Sequence, residues 1–152
     1  MTTFIWDFDG TLVDSYEAIG QALQVTYAHY GLAFDEQWIM DFIIKESVKA
    51  LLYQVAKEQE LDFTELSAFF KKEQEARDYL IKPMPHLTEV LAATKQKGVT
   101  HFAYTHKGIT ANDVLERLWR ASSNFTRSGD ISKMASLVKP EPEAINYLLE
   151  KI

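Results

Sequence analysis

A short apolar run near the start of the chain ends abruptly in acidic residues, and this constrains the fold more than any other feature. Residues 3–6 read Thr-Phe-Ile-Trp, and the segment Asp7-Phe8-Asp9-Gly10-Thr11 follows directly. β-branched and aromatic residues bounded by turn-forming residues are typical of a buried strand. We therefore predict a strand that runs into a polar loop. Ligands of open α/β sheets bind at the carboxyl ends of strands, where both acids are expected.

The spacing of the two acids in this segment predicts a charged site. Alternate residues of an extended strand face the same way, so Asp7 and Asp9 are expected to face one crevice. Two carboxylates so placed repel each other unless a cation or a proton compensates, and magnesium, which prefers oxygen ligands, resolves that conflict. Gly10 permits a tight turn and leaves its amide free to meet an anion. The alternative interpretation is a solvated Asp-Gly turn.

The next part of the chain predicts helices. Apolar residues recur three to four apart over residues 16–30, 42–57 and 63–80, which is typical of amphipathic helices. Residues 14–80 should therefore hold three helices and almost no strand. Beyond the proline-rich break at residues 82–85, the pattern predicts further elements, namely a helix over 86–97, a strand over 99–104, a helix over 110–119 with Thr110 as N-cap, and a helix over 141–151.

Alternating helices and strands favour a parallel sheet with helices on its faces. We predict an α/β fold, a Rossmann-like parallel-sheet core formed by residues 1–13 and 82–152. The helical block, residues 14–81, is inserted after the first strand. Residues 120–138 are poorly patterned and give no sign of a strand.

Composition excludes several classes of function. The 152 residues include 16 basic and 22 acidic side chains, a net charge of −6, which argues against nucleic-acid or anionic-membrane partners. The absence of cysteine excludes disulfides, thiolate metal sites and cysteine nucleophiles. Apolar runs fall far short of the ~20 residues of a membrane span, and no signal peptide is visible. We expect a cytoplasmic protein. The sequence does not indicate its oligomeric state.

The acidic segment resembles the first motif of the haloacid dehalogenase-like (HAD) superfamily, Asp-x-Asp-Gly-Thr, at every defined position. Two further resemblances follow in the family's order. Thr105, at the end of a predicted strand, looks like the second motif, and Lys139-Pro140 looks like the third. The helical block resembles the family's cap, placed after the first motif. The most similar subgroup is that of the phosphoglycolate-phosphatase-like hydrolases.

The resemblance implies a magnesium-dependent phosphatase that acts on a small phosphorylated metabolite. Asp7 would attack phosphorus and form an aspartyl phosphate, and Asp9 would protonate the leaving alcohol and then deprotonate water. Thr105 would bind a phosphoryl oxygen, and Lys139 would neutralise charge. Asp7 and the backbone carbonyl of Asp9 would hold magnesium. Further phosphate contacts are implied for Gly10, Thr11 and His106.

Several residues near these motifs depart from the family or have plainer interpretations. His106 and Lys107 follow Thr105, where the family often has Asn, although their backbone amides could still face phosphate. Asp14 and Ser15 are common in the subgroup and lie at the hinge into the cap, and neither is predicted to be catalytic. Taken alone, Thr105 would be an ordinary strand-end residue and Lys139 a solvated charge.

The family's fourth motif, one or two acidic residues after a further strand, has no match after Lys139. We expect the chain to be a fragment of a longer protein. A short form that binds metal weakly and a relative that has lost catalysis are the alternatives. Two other functions stay open. One is a non-catalytic or incomplete binding module, and the other is a phosphomutase of the same family, which would return the phosphoryl group to a sugar.

Overall fold

The computed structural model of this chain describes residues 2–105, 107, 110–121 and 136–138. Contacts within the chain divide it into two units. We call Met1–Ser15 with Ile81–Ile152 the sheet unit, and Tyr16–Leu80 the helical unit. None of the helices in the described ranges is both long and apolar enough to cross a membrane.

The helical unit is built from amphipathic segments that share one apolar core. Its elements are α1 (Tyr16–His29), α2 (Glu36–Lys45), α3 (Val48–Glu58), α4 (Phe63–Glu75) and a 3-10 turn, Asp78–Leu80. Each helix contributes large apolar side chains to this core, among them Leu23, Ile39, Leu51 and Leu66. Burying one such side chain stabilises a fold by about 1.5–3 kcal/mol.

The prediction of a single helix over residues 42–57 is wrong, because one helix ends and the next begins within this range. The hydroxyl oxygen of Ser47 accepts a hydrogen bond from the amide of Ala50 at 3.0 Å and caps the start of α3. Ile44, which the apolar spacing assigned to the buried face, is 60% exposed. The helical unit therefore holds four α-helices among the described residues rather than three.

The sheet unit contains a parallel sheet, which confirms the predicted α/β fold. β1 (Thr3–Asp7) pairs with β4 (Thr100–Thr105), and β4 pairs with β5 (Ser136–Val138), in the order β1-β4-β5. A small antiparallel pair, β2 (Val13–Asp14) with β3 (Lys82–Pro83), joins the two parts of the sheet unit. Two helices precede and follow β4, namely α5 (Leu87–Lys95) and α6 (Thr110–Ala121).

Two features of the second half of the sheet unit differ from the sequence pattern. Ser136–Val138 forms β5 within the poorly patterned residues 120–138; three residues are too few to show a period, and pairing with β4 defines the strand. Thr110 is the first residue of α6 rather than its N-cap, and its buried hydroxyl has no hydrogen-bond partner within the described part of the chain. The helix predicted over 141–151 lies outside the described residues.

Candidate functional site

The carboxyl ends of the parallel strands meet at one edge of the sheet. β1 ends at Asp7, whose register partner on β4 is Tyr104, so Thr105 stands one residue beyond the level of Asp7 on the neighbouring strand. Thr105 in turn pairs with Val138, the last residue of β5. The topology thus brings two of the predicted site residues, Asp7 and Thr105, to adjacent strand ends.

The loop after β1 is closed around the backbone of Phe8. The carbonyl of Phe8 accepts hydrogen bonds from the amides of Leu12 and Val13, both at 3.0 Å, and the Phe8 side chain is fully buried. Gly10 has φ 75°, in the left-handed region that glycine enters without strain. The buried Phe8 ring therefore anchors a tight turn that carries Asp9.

The expectation that the Gly10 amide is free to meet an anion is wrong. This amide donates a hydrogen bond to the carbonyl of Val13 at 2.8 Å. The prediction considered only the conformational freedom of glycine. The turn that glycine permits is closed by a hydrogen bond that uses the Gly10 amide. Gly10 thus contributes backbone geometry, and its neighbour Thr11 is exposed beside it.

The two acids are held by different partners. The Asp7 carboxylate accepts a hydrogen bond from the amide of Phe8 at 2.9 Å, and Asp7 is exposed. Asp9 is half-buried and accepts a hydrogen bond from the hydroxyl of Ser15 at 2.5 Å. Because β1 ends at Asp7, strand alternation does not reach Asp9, and the turn rather than the strand sets where its carboxylate lies.

Thr105 is buried at the end of β4, with 1% of its surface exposed. Its hydroxyl oxygen accepts a hydrogen bond from the amide of Lys107 at 3.0 Å. That contact uses a lone pair of the hydroxyl and does not consume its hydrogen, so Thr105 keeps the ability to donate. The amide of Lys107 is therefore directed to the Thr105 hydroxyl.

Lys107 itself is a charged residue that the sequence analysis gave no side-chain role. It is only 9% exposed, which is uncommon for lysine. It stands two residues beyond Thr105, the last residue of β4, on the segment that follows the carboxyl end of that strand. The sequence analysis missed this burial, because a single sequence does not distinguish a buried lysine from a solvated one. The predicted site residues His106 and Lys139 lie outside the described residues.

A tryptophan and a histidine link β1 to β4 just before the acidic loop. The indole nitrogen of Trp6 donates to Nδ1 of His101 at 3.0 Å, and Nε2 of His101 is 3.0 Å from the hydroxyl of Thr94. Since Nδ1 accepts, the neutral ring carries its hydrogen on Nε2 and donates it to Thr94. Burial lowers the pKa of His101. This chain of hydrogen bonds supports the residue that immediately precedes Asp7.

The chemistry of the acidic residues fits magnesium. Asp7 and Asp9 supply oxygen donors, and magnesium is commonly bound by one or two protein carboxylates together with water and substrate phosphate. Among the residues that the structure describes, no group of three or more His, Asp or Glu side chains is placed to hold a metal. Among the described residues, Asp7 and Asp9 could therefore supply only some of the ligands of a magnesium ion.

Comparison with known proteins places these features in a family context. A family model described as haloacid dehalogenase-like hydrolase matches residues 4–152. A curated phosphoglycolate phosphatase from Aquifex aeolicus is 35% identical over 103 residues, which cover 64% of this chain and 46% of that protein. The matched region thus spans less than half the length of this curated relative.

Two solved structures show the same fold at low sequence identity. A haloacid dehalogenase-like family hydrolase from Streptococcus pneumoniae superposes with a TM-score of 0.76 at 19% identity, over 99% of this chain and 70% of that one. A HAD family hydrolase from Deinococcus radiodurans, solved with bound phosphate and sodium, gives a TM-score of 0.59 at 18% identity, over 99% of this chain and 66% of that one.

Proposed function

Because the chain belongs to the haloacid dehalogenase-like hydrolase family, we propose that it is a phosphatase that hydrolyses a small phosphate monoester through an aspartyl-phosphate intermediate. The family membership confirms the resemblance seen in the Asp-x-Asp-Gly-Thr segment. The observation that supports the proposal is the pair of neighbouring parallel strand ends, at which Asp7 of β1 and Thr105 of β4 stand one residue apart in register.

In the first step, an oxygen of the Asp7 carboxylate attacks phosphorus, and the bond between phosphorus and the alcohol oxygen breaks. A carboxylate is ionised at neutral pH and needs no separate base to act as a nucleophile. Asp9 gives a proton to the departing alcohol. The products of this step are the free alcohol and a phosphoryl group on Asp7.

In the second step, water attacks the phosphorus of the aspartyl phosphate and gives its proton to Asp9. Phosphate leaves, and the Asp7 carboxylate is restored. The Thr105 hydroxyl donates a hydrogen bond to a phosphoryl oxygen in both steps, and Lys139, assigned by the family resemblance, supplies positive charge. Phosphoryl transfer depends mainly on positioning and charge neutralisation, which these residue types supply.

Magnesium is the proposed cofactor, with the Asp7 carboxylate and the backbone carbonyl of Asp9 as its protein ligands. When bound, it would neutralise negative charge on the phosphoryl oxygens. The phosphoglycolate phosphatase from Aquifex aeolicus supports a substrate such as a phosphorylated hydroxy acid or a sugar phosphate. We also propose that the helical unit, Tyr16–Leu80, is the cap in which substrate choice resides.

The test is turnover of small phosphate monoesters, including phosphoglycolate and a hexose phosphate, with magnesium, with chelator, and in Asp7→Asn. We expect magnesium-dependent release of phosphate that falls by at least about 10³-fold in Asp7→Asn, because that variant lacks the nucleophile. The matched control is Asp41→Asn, which makes the same change on an exposed face of α2 and should keep full activity.

A second readout identifies the intermediate. Acid quenching during turnover of a labelled phosphate ester should leave label on the wild-type protein in a form released by hydroxylamine, and no label on Asp7→Asn. Equal turnover in Asp7→Asn and wild type would contradict the proposal. Phosphate binding without turnover by the wild-type chain would favour the non-catalytic binding module instead.

A further inference from the structure

A buried serine contacts the second acid of the site. Ser15, which directly precedes α1, is fully buried, and its hydroxyl donates to Oδ1 of Asp9 at 2.5 Å. A hydroxyl that donates to one oxygen of a carboxyl group restricts the orientation of that group and leaves the other oxygen available. This contact joins two residues on opposite sides of the tight turn that follows β1.

The backbone is paired near both ends of this contact. Just before Ser15, Val13 and Asp14 form β2 and are paired with Pro83 and Lys82 of β3. On the other side, Asp9 makes a bridge to Val13. Ser15 thus follows directly on a paired strand, and its buried hydroxyl donates to an acid whose own backbone is bridged to that strand.

We propose that Ser15 is a positioning residue that orients Asp9 for proton transfer, an inference that rests on the proposed phosphatase function. Ser15 binds Oδ1, which leaves Oδ2 to exchange the proton. In the first step the proton passes from Oδ2 to the alcohol oxygen as its bond to phosphorus breaks. In the second step Oδ2 takes a proton from water, while Ser15 retains its own proton throughout.

The leaving group of the substrate separates this role from a purely structural one. An alkyl phosphate releases an alcohol that must be protonated, whereas 2,4-dinitrophenyl phosphate releases a stable anion that needs no proton. A residue that orients the general acid therefore matters for the first substrate and little for the second. A residue that only maintains the fold of the site affects both substrates alike.

The experiment compares kcat/KM of the full chain for these two substrates in wild type and Ser15→Ala. We expect a fall of roughly 10–100-fold for the alkyl phosphate and of less than about 3-fold for the dinitrophenyl ester, since general acid catalysis is commonly worth 10²–10⁴-fold. Ser15→Thr, which keeps the hydroxyl, should recover most of the alkyl activity. Ser15→Cys, which fills the same space with a weak donor, should repeat the selective loss if Ser15→Ala does not fold.

A double variant tests whether Ser15 acts through Asp9. In an Asp9→Asn background, adding Ser15→Ala should cause no further selective loss, because the proton donor is already absent. Ser67→Ala is the matched control; the Ser67 hydroxyl is buried and has no hydrogen-bond partner within the described residues, so its removal should leave both substrates unaffected.

The two levels of the proposal fail in different ways. Equal losses for both substrates in Ser15→Ala, in a protein whose turnover still depends on Asp7, would overturn the positioning role alone. Turnover that survives Asp7→Asn would overturn the proposed function, and the role of Ser15 would fall with it.

Discussion

At the scale of single residues, His101 is a titratable side chain that is hydrogen-bonded to the neighbour of a candidate site residue. It accepts a hydrogen bond from Trp6, which directly precedes Asp7, and it donates to Thr94. The bond from Trp6 requires the neutral ring, since a protonated imidazole cannot accept at Nδ1, whereas the donation to Thr94 is open to both forms of the ring. Partial removal from water also disfavours the charged form and lowers the pKa of His101.

This leads to a prediction for stability against pH. A histidine whose pKa is lowered by folding stabilises the native state above its unfolded pKa of about 6.5, and that contribution is lost as the pH falls below this value. Between pH 7.5 and pH 5, the wild type should therefore lose more stability than His101→Gln. Urea unfolding at the two pH values, followed by tryptophan fluorescence, measures both differences.

Identical pH dependence in His101→Gln and wild type would show that protonation of His101 is not resisted by the fold. His29→Gln is the matched control, because His29 is exposed on α1, away from the Trp6 hydrogen bond. That variant should follow the wild-type pH dependence.

At the scale of residues, the sequence predicted some contacts of the candidate site and missed others. The placement of Asp7 beside Thr105 follows from two strand ends in a parallel sheet, which the pattern of the chain indicates. The Ser15–Asp9 hydrogen bond and the burial of Lys107 depend on side-chain packing after a turn, and a single sequence carries no signal for them. The Gly10 turn was predicted, but the use of its amide inside that turn was not.

Elements of the helical unit depend on capping as much as on apolar spacing. The end of α2 and the start of α3 are set by Ser47, which bonds the amide of Ala50. The apolar spacing over residues 42–57 continued through this boundary because successive helices can present similar patterns. The only sign of this boundary in the sequence is Ser47, a residue type common at helix starts. One such residue is a weaker signal than the regular spacing of apolar residues.

Ser47→Ala is expected to lower the free energy of unfolding by about 1 kcal/mol, the usual cost of losing an N-cap hydrogen bond. The measurement is urea unfolding followed by far-ultraviolet circular dichroism. Ser67→Ala makes the same chemical change in α4, where the hydroxyl has no hydrogen-bond partner among the described residues, and should cost less. An equal effect of the two variants would argue that Ser47 does not define the start of α3.

The strand β5 shows that very short elements cannot be predicted from the spacing of apolar residues. Its three residues, Ser136–Val138, carry no detectable period, and their identity as a strand comes from pairing with β4. Longer elements such as α1 and β4 were predicted within a residue or two of their observed bounds. Length decides this difference, since a period needs several repeats to be seen.

At the scale of the whole molecule, each unit has buried side chains of its own. The helical unit is centred on residues such as Leu51, which is fully buried, whereas the sheet unit buries Phe8, Leu12 and Leu115. The interruption of the β/α alternation by a long helical block predicts such a division. The strand order β1-β4-β5 was not predictable, because it depends on which distant segments pair.

Separate cores predict that a core defect in one unit stays largely within it. Leu51→Ala should destabilise the helical unit by about 2–5 kcal/mol, the usual cost of truncating a buried leucine. Hydrogen exchange should then rise across α1–α4 more than across β1 and β4. Tyr53→Ala, on the exposed side of the same helix, should change neither unit. A uniform rise over both units would show that they unfold together.

The pairing of β2 with β3 has a consequence for how such a chain can change over evolution. Asp14 and Lys82 stand opposite each other, so the chain leaves the sheet unit and re-enters it at one point. A segment whose two ends already meet can be lengthened, shortened or exchanged at little cost to the framework that holds it, because the entropy of closing a loop grows only slowly with its length. The helical block between these strands is thus expected to diverge more freely than the acidic turn of the sheet unit.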